Sequence, residues 1–153
     1  MALIISPAQI NIIYRHAEQF YPEECCGILL GTIDRISKTI VEVIPTDNVW
    51  MPPQSIDEPA DADEVTRTKT SRYAIDPQAI FHAQKRGRDL QLEIVGFFHS
   101  HPDYPAVPSM CDRDLAWDIY SYPIVSVING KATDFKSWVL DSGGIFQPEE
   151  IHK

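Results

Sequence analysis

No run of about 18 apolar residues, the length a bilayer-crossing helix demands, occurs in the chain. The opening Met1-Ala2-Leu3-Ile4-Ile5-Ser6 lacks the basic segment of a signal peptide and is too short for one, so a cytoplasmic location is expected. Cysteine is scarce. There are three, Cys25, Cys26 and Cys111, two of them adjacent, which argues against a disulfide framework. Cys25 and Cys26 read as small residues at a strand start. Cys111 stands beside Asp112, where a thiol could touch a site or act as a redox brake. Positive charge is in deficit: 13 Lys and Arg face 22 Asp and Glu, for a net charge of -9. That argues against a nucleic-acid partner, which needs a basic face. No internal repeat or linker divides the 153 residues, so one domain over 1–153 with one core is expected.

The richest stretch is His99-Ser100-His101-Pro102, followed by Ser109 and Asp112. It follows Leu92-Glu93-Ile94-Val95-Gly96-Phe97-Phe98, which reads as a buried strand. In an extended segment side chains at i and i+2 point the same way, so His99 and His101 can aim at one point. Two neutral imidazoles and a carboxylate suit zinc with a position left open for water. Asp112 is the best third ligand, in the first turn of a helix expected to run on through Leu115, Ala116 and Ile119. Ser109-x-x-Asp112 before a helix also spells a capping box, and Ser109 can be cap and catalytic group at once.

Around this stretch the chain divides readily. Ser6-Pro7-Ala8-Gln9 starts a helix, with Ser6 as N-cap, and Ile10, Ile13, Ala17 and Phe20 follow on one face. His16 in this helix is expected to be no ligand. Pro22 stops it. Residues 24–33 read as a strand, 34–37 as a turn and 38–44 as its partner. Residues 45–71, rich in proline and acids, read as an irregular acidic insertion loop, either solvated or a flap that holds substrate. Asp76-Pro77 begins a second helix running to about Arg86, with Gly87 at its end. Lys85, Arg86 and Arg88 there suit the helix terminus or an acidic partner. Residues 122–128 and 135–140 read as strands, 141–144 as a hairpin turn and 145–151 as a last edge strand, with Pro148 limiting its pairing. The mixture predicts an α/β sandwich with the metal at the edge of a mainly antiparallel sheet.

The spacing His-x-His, seven residues, Ser, two residues, Asp resembles the JAMM motif of the MPN-plus metalloproteases. The upstream Pro22-Glu23-Glu24-Cys25-Cys26-Gly27-Ile28-Leu29-Leu30-Gly31 resembles the setting of that family's catalytic glutamate, which falls on Glu24. The likeness covers nearly the whole chain and is closest to short, stand-alone prokaryotic members. It implies a single MPN domain, α/β and similar to the cytidine deaminases. It implies one zinc per chain on His99, His101 and Asp112, with Glu24 as general base and Ser109 as donor to the carbonyl oxygen. It further implies peptide or isopeptide hydrolysis at the C-terminal Gly-Gly tail of a ubiquitin-like or sulfur-carrier protein, by a monomer or homodimer. Only about ten residues separate Asp112 from the strand at Tyr122, which leaves no room for the second insertion of chain-specific ubiquitin proteases. The alternative is a non-catalytic MPN scaffold or carrier-binding module, which usually lacks part of this set. A zinc deaminase needs a Pro-Cys-x-x-Cys signature, and none occurs.

Overall fold

Ser6 begins the first helix as the spacing predicts. Its hydroxyl accepts from Gln9 N–H, and the Gln9 side chain accepts from Ser6 N–H in return, so two donors at the helix end are satisfied. This helix, α1 (Pro7–Phe20), buries Ile10, Ile13 and Ala17. The computed structural model describes residues 1–52 and 67–153. Most of the expected acidic insertion, residues 53–66, lies outside the described residues, while 45 and 46 belong to a strand.

The strands are β1 (Ala2–Ile4), β2 (Cys26–Ile33), β3 (Ser37–Thr46), β4 (Glu93–Pro102), β5 (Ser121–Ile128), β6 (Lys131–Leu140) and β7 (Phe146–His152). They are hydrogen-bonded in the order β1-β3-β2-β4-β5-β6-β7 and close on themselves. Four neighbouring pairs are antiparallel, and β1/β3, β1/β7 and β4/β5 are parallel. The sheet is therefore mixed and mainly antiparallel, as expected, but it has no free edge at its end. β7 is not an edge strand: Pro148 pairs with Trp138 of β6, and β1, not foreseen as a strand, covers the other side of β7.

β2 is apolar on both faces because each is covered. Leu29 joins the core under α1 with Leu3, Ile13, Val95 and Phe98. Ile28 and Leu30 join a second cluster with Ala83 and Ile94, under the helix α2 (Pro77–Leu90). That helix is one turn longer than expected. Gly87 is not its cap; it lies inside, where a Cβ would sit 2.8 Å from the Leu92 carbonyl oxygen, and Gln91 at φ 60° ends the helix instead. Its cationic end has a partner within the fold, since Arg86 Nε donates to the Glu42 carboxylate at 2.7 and 2.8 Å.

A bulge in β4 decides which way the motif faces. Leu29 pairs with Gly96 but Leu30 pairs with Ile94, so Val95 is an extra residue. Val95 packs in the first cluster, and two residues on Phe97 packs in the second. His99 and His101 continue the Phe97 face. Without the extra residue they would point under α1. Gly96 is required here, because it pairs with Ser121 of β5 and a Cβ would run into the Ser121 carbonyl oxygen. Gly96→Ala is expected to cost about 1–3 kcal/mol of stability through this clash. Urea unfolding followed by circular dichroism checks it, and an unchanged midpoint would contradict the assignment.

Candidate metal centre

Three donor side chains converge at the end of β4. His99 Nε2 and His101 Nε2 lie 3.1 Å apart. Asp112 Oδ1 is 3.2 Å from His99 Nε2, and Asp112 Oδ2 is 3.2 Å from His101 Nε2. His99 is 1% exposed and His101 8%. Between them Ser100 points the opposite way and ties β4 to the start of β2: its hydroxyl accepts from Cys25 N–H at 2.7 Å, and its own N–H donates to the Cys25 carbonyl at 3.1 Å. That clamp sets Glu24 beside the imidazoles. One carboxylate oxygen of Glu24 and one nitrogen of each histidine lie within 4.8 Å of one another.

The loop after His101 is pinned from several sides. Asp103 N–H donates to Val127 O, Asn129 N–H to the Asp103 carboxylate, Tyr21 Oη to the same carboxylate at 2.6 Å, and Trp138 Nε1 to Ala106 O. It leads into α3 (Met110–Asp114), where the capping-box reading and the ligand geometry coincide. Ser109 Oγ accepts from Asp112 N–H at 3.0 Å, and Ser109 N–H donates to Asp112 Oδ2 at 2.8 Å. The cap thus holds the Asp112 carboxylate toward the histidines. The helix is shorter than expected and ends at Asp114, with Leu115 as its C-cap. Leu115, Trp117 and Ile119 are exposed, so the helical spacing after Asp114 has no core to face.

The electrostatics suit a cation. His101 Nδ1 is 2.8 Å from the Pro105 carbonyl, an acceptor, which favours the tautomer with the proton on Nδ1 and Nε2 free to bind a cation. His101 Nε2 faces the Asp112 carboxylate and His99 Nε2. Burial lowers the His99 pKa against the pull of Asp112. His99 Nδ1 is buried without a hydrogen-bond partner among the described residues. Burial alone would raise the Asp112 carboxyl, but His99, His101 and the Ser109 N–H together hold it well below the ordinary carboxylate range. Glu24 goes the other way. Burial and then the charge of Asp112 raise it to about 9, with Arg72 opposing. Two imidazole nitrogens and an ionised carboxylate around one point are a donor set that fits a divalent metal such as zinc.

The cavity beside the donors has a volume of about 400 Å³. Glu24, His101, Ser109, Arg67 and Arg72 are among the residues that line it. Cys111 also lines it, whereas Cys25 and Cys26 are buried thiols raised to about 12 and about 11 by burial. His16 is remote in role: its Nε2 lies between the carbonyls of Cys26 and Thr46. Sequence reasoning missed Tyr73, whose ring stacks on His99 at 4.5 Å between centroids. It also missed Arg72 and Asn48. None carries a local signal, because each reaches the site from a segment that reads only as extended or irregular.

Residues 6–141 match the family described as prokaryotic homologues of the JAB domain. The chain belongs to this family. It is 33% identical over 106 residues to a desampylase of Haloferax volcanii, a match covering 69% of this chain and 63% of that protein. The fold of a Desulfitobacterium hafniense protein, solved in solution, superposes on this JAB domain with a TM-score of 0.75 and 30% identity, over 99% of this chain and 92% of that one. A JAB1/MPN domain protein of Archaeoglobus fulgidus shares the fold at a TM-score of 0.53 and 16% identity, with both chains fully covered. The JAB/MPN fold and the mixed α/β class are therefore shared with solved structures. No helix among the described residues is long and apolar enough to cross a membrane.

Proposed function

We propose that this JAB domain is a zinc-dependent isopeptidase or peptidase that cleaves after the C-terminal Gly-Gly tail of a ubiquitin-like or sulfur-carrier protein. The observation that carries the reading is the convergence of the His99, His101 and Asp112 donors within 3.2 Å beside the buried carboxylate of Glu24. The desampylase relative supports the hydrolase reading.

His99, His101 and Asp112 would hold one zinc per chain. When bound, zinc supplies a Lewis acid that makes water a nucleophile near neutral pH. Glu24 then accepts the proton of the attacking water and passes it to the leaving nitrogen. With a cation at the imidazoles, the negative field of Asp112 that raises Glu24 is neutralised and the ionised base is favoured. Ser109 Oγ already accepts from Asp112 N–H, which leaves its own proton to donate to the carbonyl oxygen as charge develops there. No covalent intermediate is needed. The cavity, with Tyr104, Val107 and Met110 on its apolar side, would take the extended tail. The protein would work in the cytoplasm, on protein substrates rather than nucleic acid.

The test is a panel of carrier-protein conjugates, each ending in Gly-Gly and linked to an amino acid, a peptide or a lysine side chain. The purified protein, with zinc measured by elemental analysis, is expected to cleave at least one of them directly after the second glycine. A zinc-loaded protein that leaves every conjugate intact would favour a binding module.

A further inference from the structure

Asn48 lies two residues beyond the end of β3, far along the chain from every residue of the motif. It is 7% exposed, and all four hydrogen-bonding positions of its amide are used. Nδ2 donates to the Glu24 carbonyl and to the Arg72 carbonyl, both at 3.0 Å. Oδ1 accepts from Trp50 N–H at 3.1 Å and Ala74 N–H at 3.2 Å. The pattern admits one orientation of the amide, because a flipped group would set its N–H donors against two backbone N–H groups. The other side of Glu24 is held too: Glu24 N–H donates to the Lys69 carbonyl at 2.7 Å. Glu24 stands just ahead of β2, outside the ladder that fixes Cys26 against His99. The Ser100–Cys25 clamp holds the next residue, while the N–H and carbonyl of Glu24 itself are held by two cross-chain hydrogen bonds rather than by strand pairing. The segment that receives the Asn48 amide also carries Tyr73, the ring stacked on His99.

The geometry points to Asn48 as a positioning residue for the catalytic reaction. Its amide fixes the backbone of Glu24 and docks residues 72–74 against it, so that base and metal-binding imidazoles keep one separation. The inference rests on the reading of Glu24 as general base. The ligands themselves come from β4 and α3, and none of the four hydrogen bonds of Asn48 goes to either. Loss of its amide should therefore misplace the base and leave metal binding intact. A displacement of about 1 Å in a reacting group is enough to cost about 100-fold in rate.

The experiment measures kcat, KM, zinc content and thermal midpoint for Asn48→Asp, Asn48→Ala and Asn48→Ser, on a conjugate the wild type cleaves. Asn48→Asp keeps the size and the acceptor but opposes an oxygen to the two carbonyls. The expected result is one zinc per chain, KM within about threefold of wild type, and kcat lower by about 100-fold in Asn48→Asp. Unchanged kcat in a folded, zinc-loaded variant would overturn the assignment. So would joint loss of zinc, KM and kcat, or failure of all three variants to fold, because Asn48 would then hold the fold rather than the base. A wild type that cleaves no conjugate would instead count against the isopeptidase reading itself.

Discussion

Glu24→Gln is expected to lower kcat on a susceptible conjugate by about 1,000-fold, inside the range a general base contributes, with one zinc per chain retained. Glutamine has nearly the same shape and keeps polar atoms in a place where Glu24 is only 4% exposed. Its amide cannot accept the proton of an attacking water. The backbone contacts to Lys69 and Asn48 do not involve the side chain, so they survive the change. Elemental analysis beside a single-turnover cleavage assay separates two arrangements. Zinc retained with catalysis lost assigns Glu24 to proton transfer. Zinc lost with catalysis makes the carboxylate a ligand, an arrangement the grouping of Glu24 with His99 and His101 within 4.8 Å would also accommodate. Full activity in Glu24→Gln would remove the base from the mechanism.

Changes at Asp112 are expected to abolish zinc binding, and two substitutions divide its two duties. The carboxylate reaches both imidazoles at 3.2 Å and also accepts from Ser109 N–H at 2.8 Å. Asp112→Asn keeps an oxygen for the Ser109 N–H but removes the negative charge. Asp112→Ala removes both. Zinc affinity is expected to fall by more than about 100-fold in each, beyond what loss of an outer-shell partner costs. Saturating zinc, at about 1,000 times the dissociation constant, should stabilise the wild type by about 4 kcal/mol. Neither variant should show that gain. Without metal, Asp112→Ala should melt below Asp112→Asn by about 2–4 °C, since a lost cap costs about 1 kcal/mol. Calorimetric scans with zinc and with a chelator measure both effects. Zinc binding by Asp112→Asn as tight as wild type would reduce Asp112 to a helix cap.

The parts of the site that were legible in the chain rest on short-range rules. His99 and His101 share a face because they are two apart in a strand. Ser109 and Asp112 form a capping box because they are three positions apart at a helix start. Ser6-Pro7 opens α1 and Asp76-Pro77 opens α2 for the same kind of local reason. The helix expected through Ile119 failed because periodicity shows only that one face could be buried. Leu115, Trp117 and Ile119 are exposed, so no described element covers that face. Local rules place Gly87 at a terminus because glycine often ends helices. Here a close approach of the Leu92 carbonyl requires it.

By itself, then, the sequence determined most of the helices and strands and the pattern that marks the chain as a JAB-family member, and it named His99, His101 and Asp112 as candidate donors from their spacing. Tertiary structure alone decided the rest. The closure of β7 onto β1 depends on two strands from opposite ends of the chain. The direction in which the histidines face depends on one extra residue, Val95, in the pairing of β4 with β2. The setting of Glu24 depends on the Ser100–Cys25 clamp and on its hydrogen bonds with the Asn48 amide and the Lys69 carbonyl, and the wall over His99 on Tyr73. Those contacts join residues far apart in the chain. They exist only once the strands have paired, so no local pattern records them.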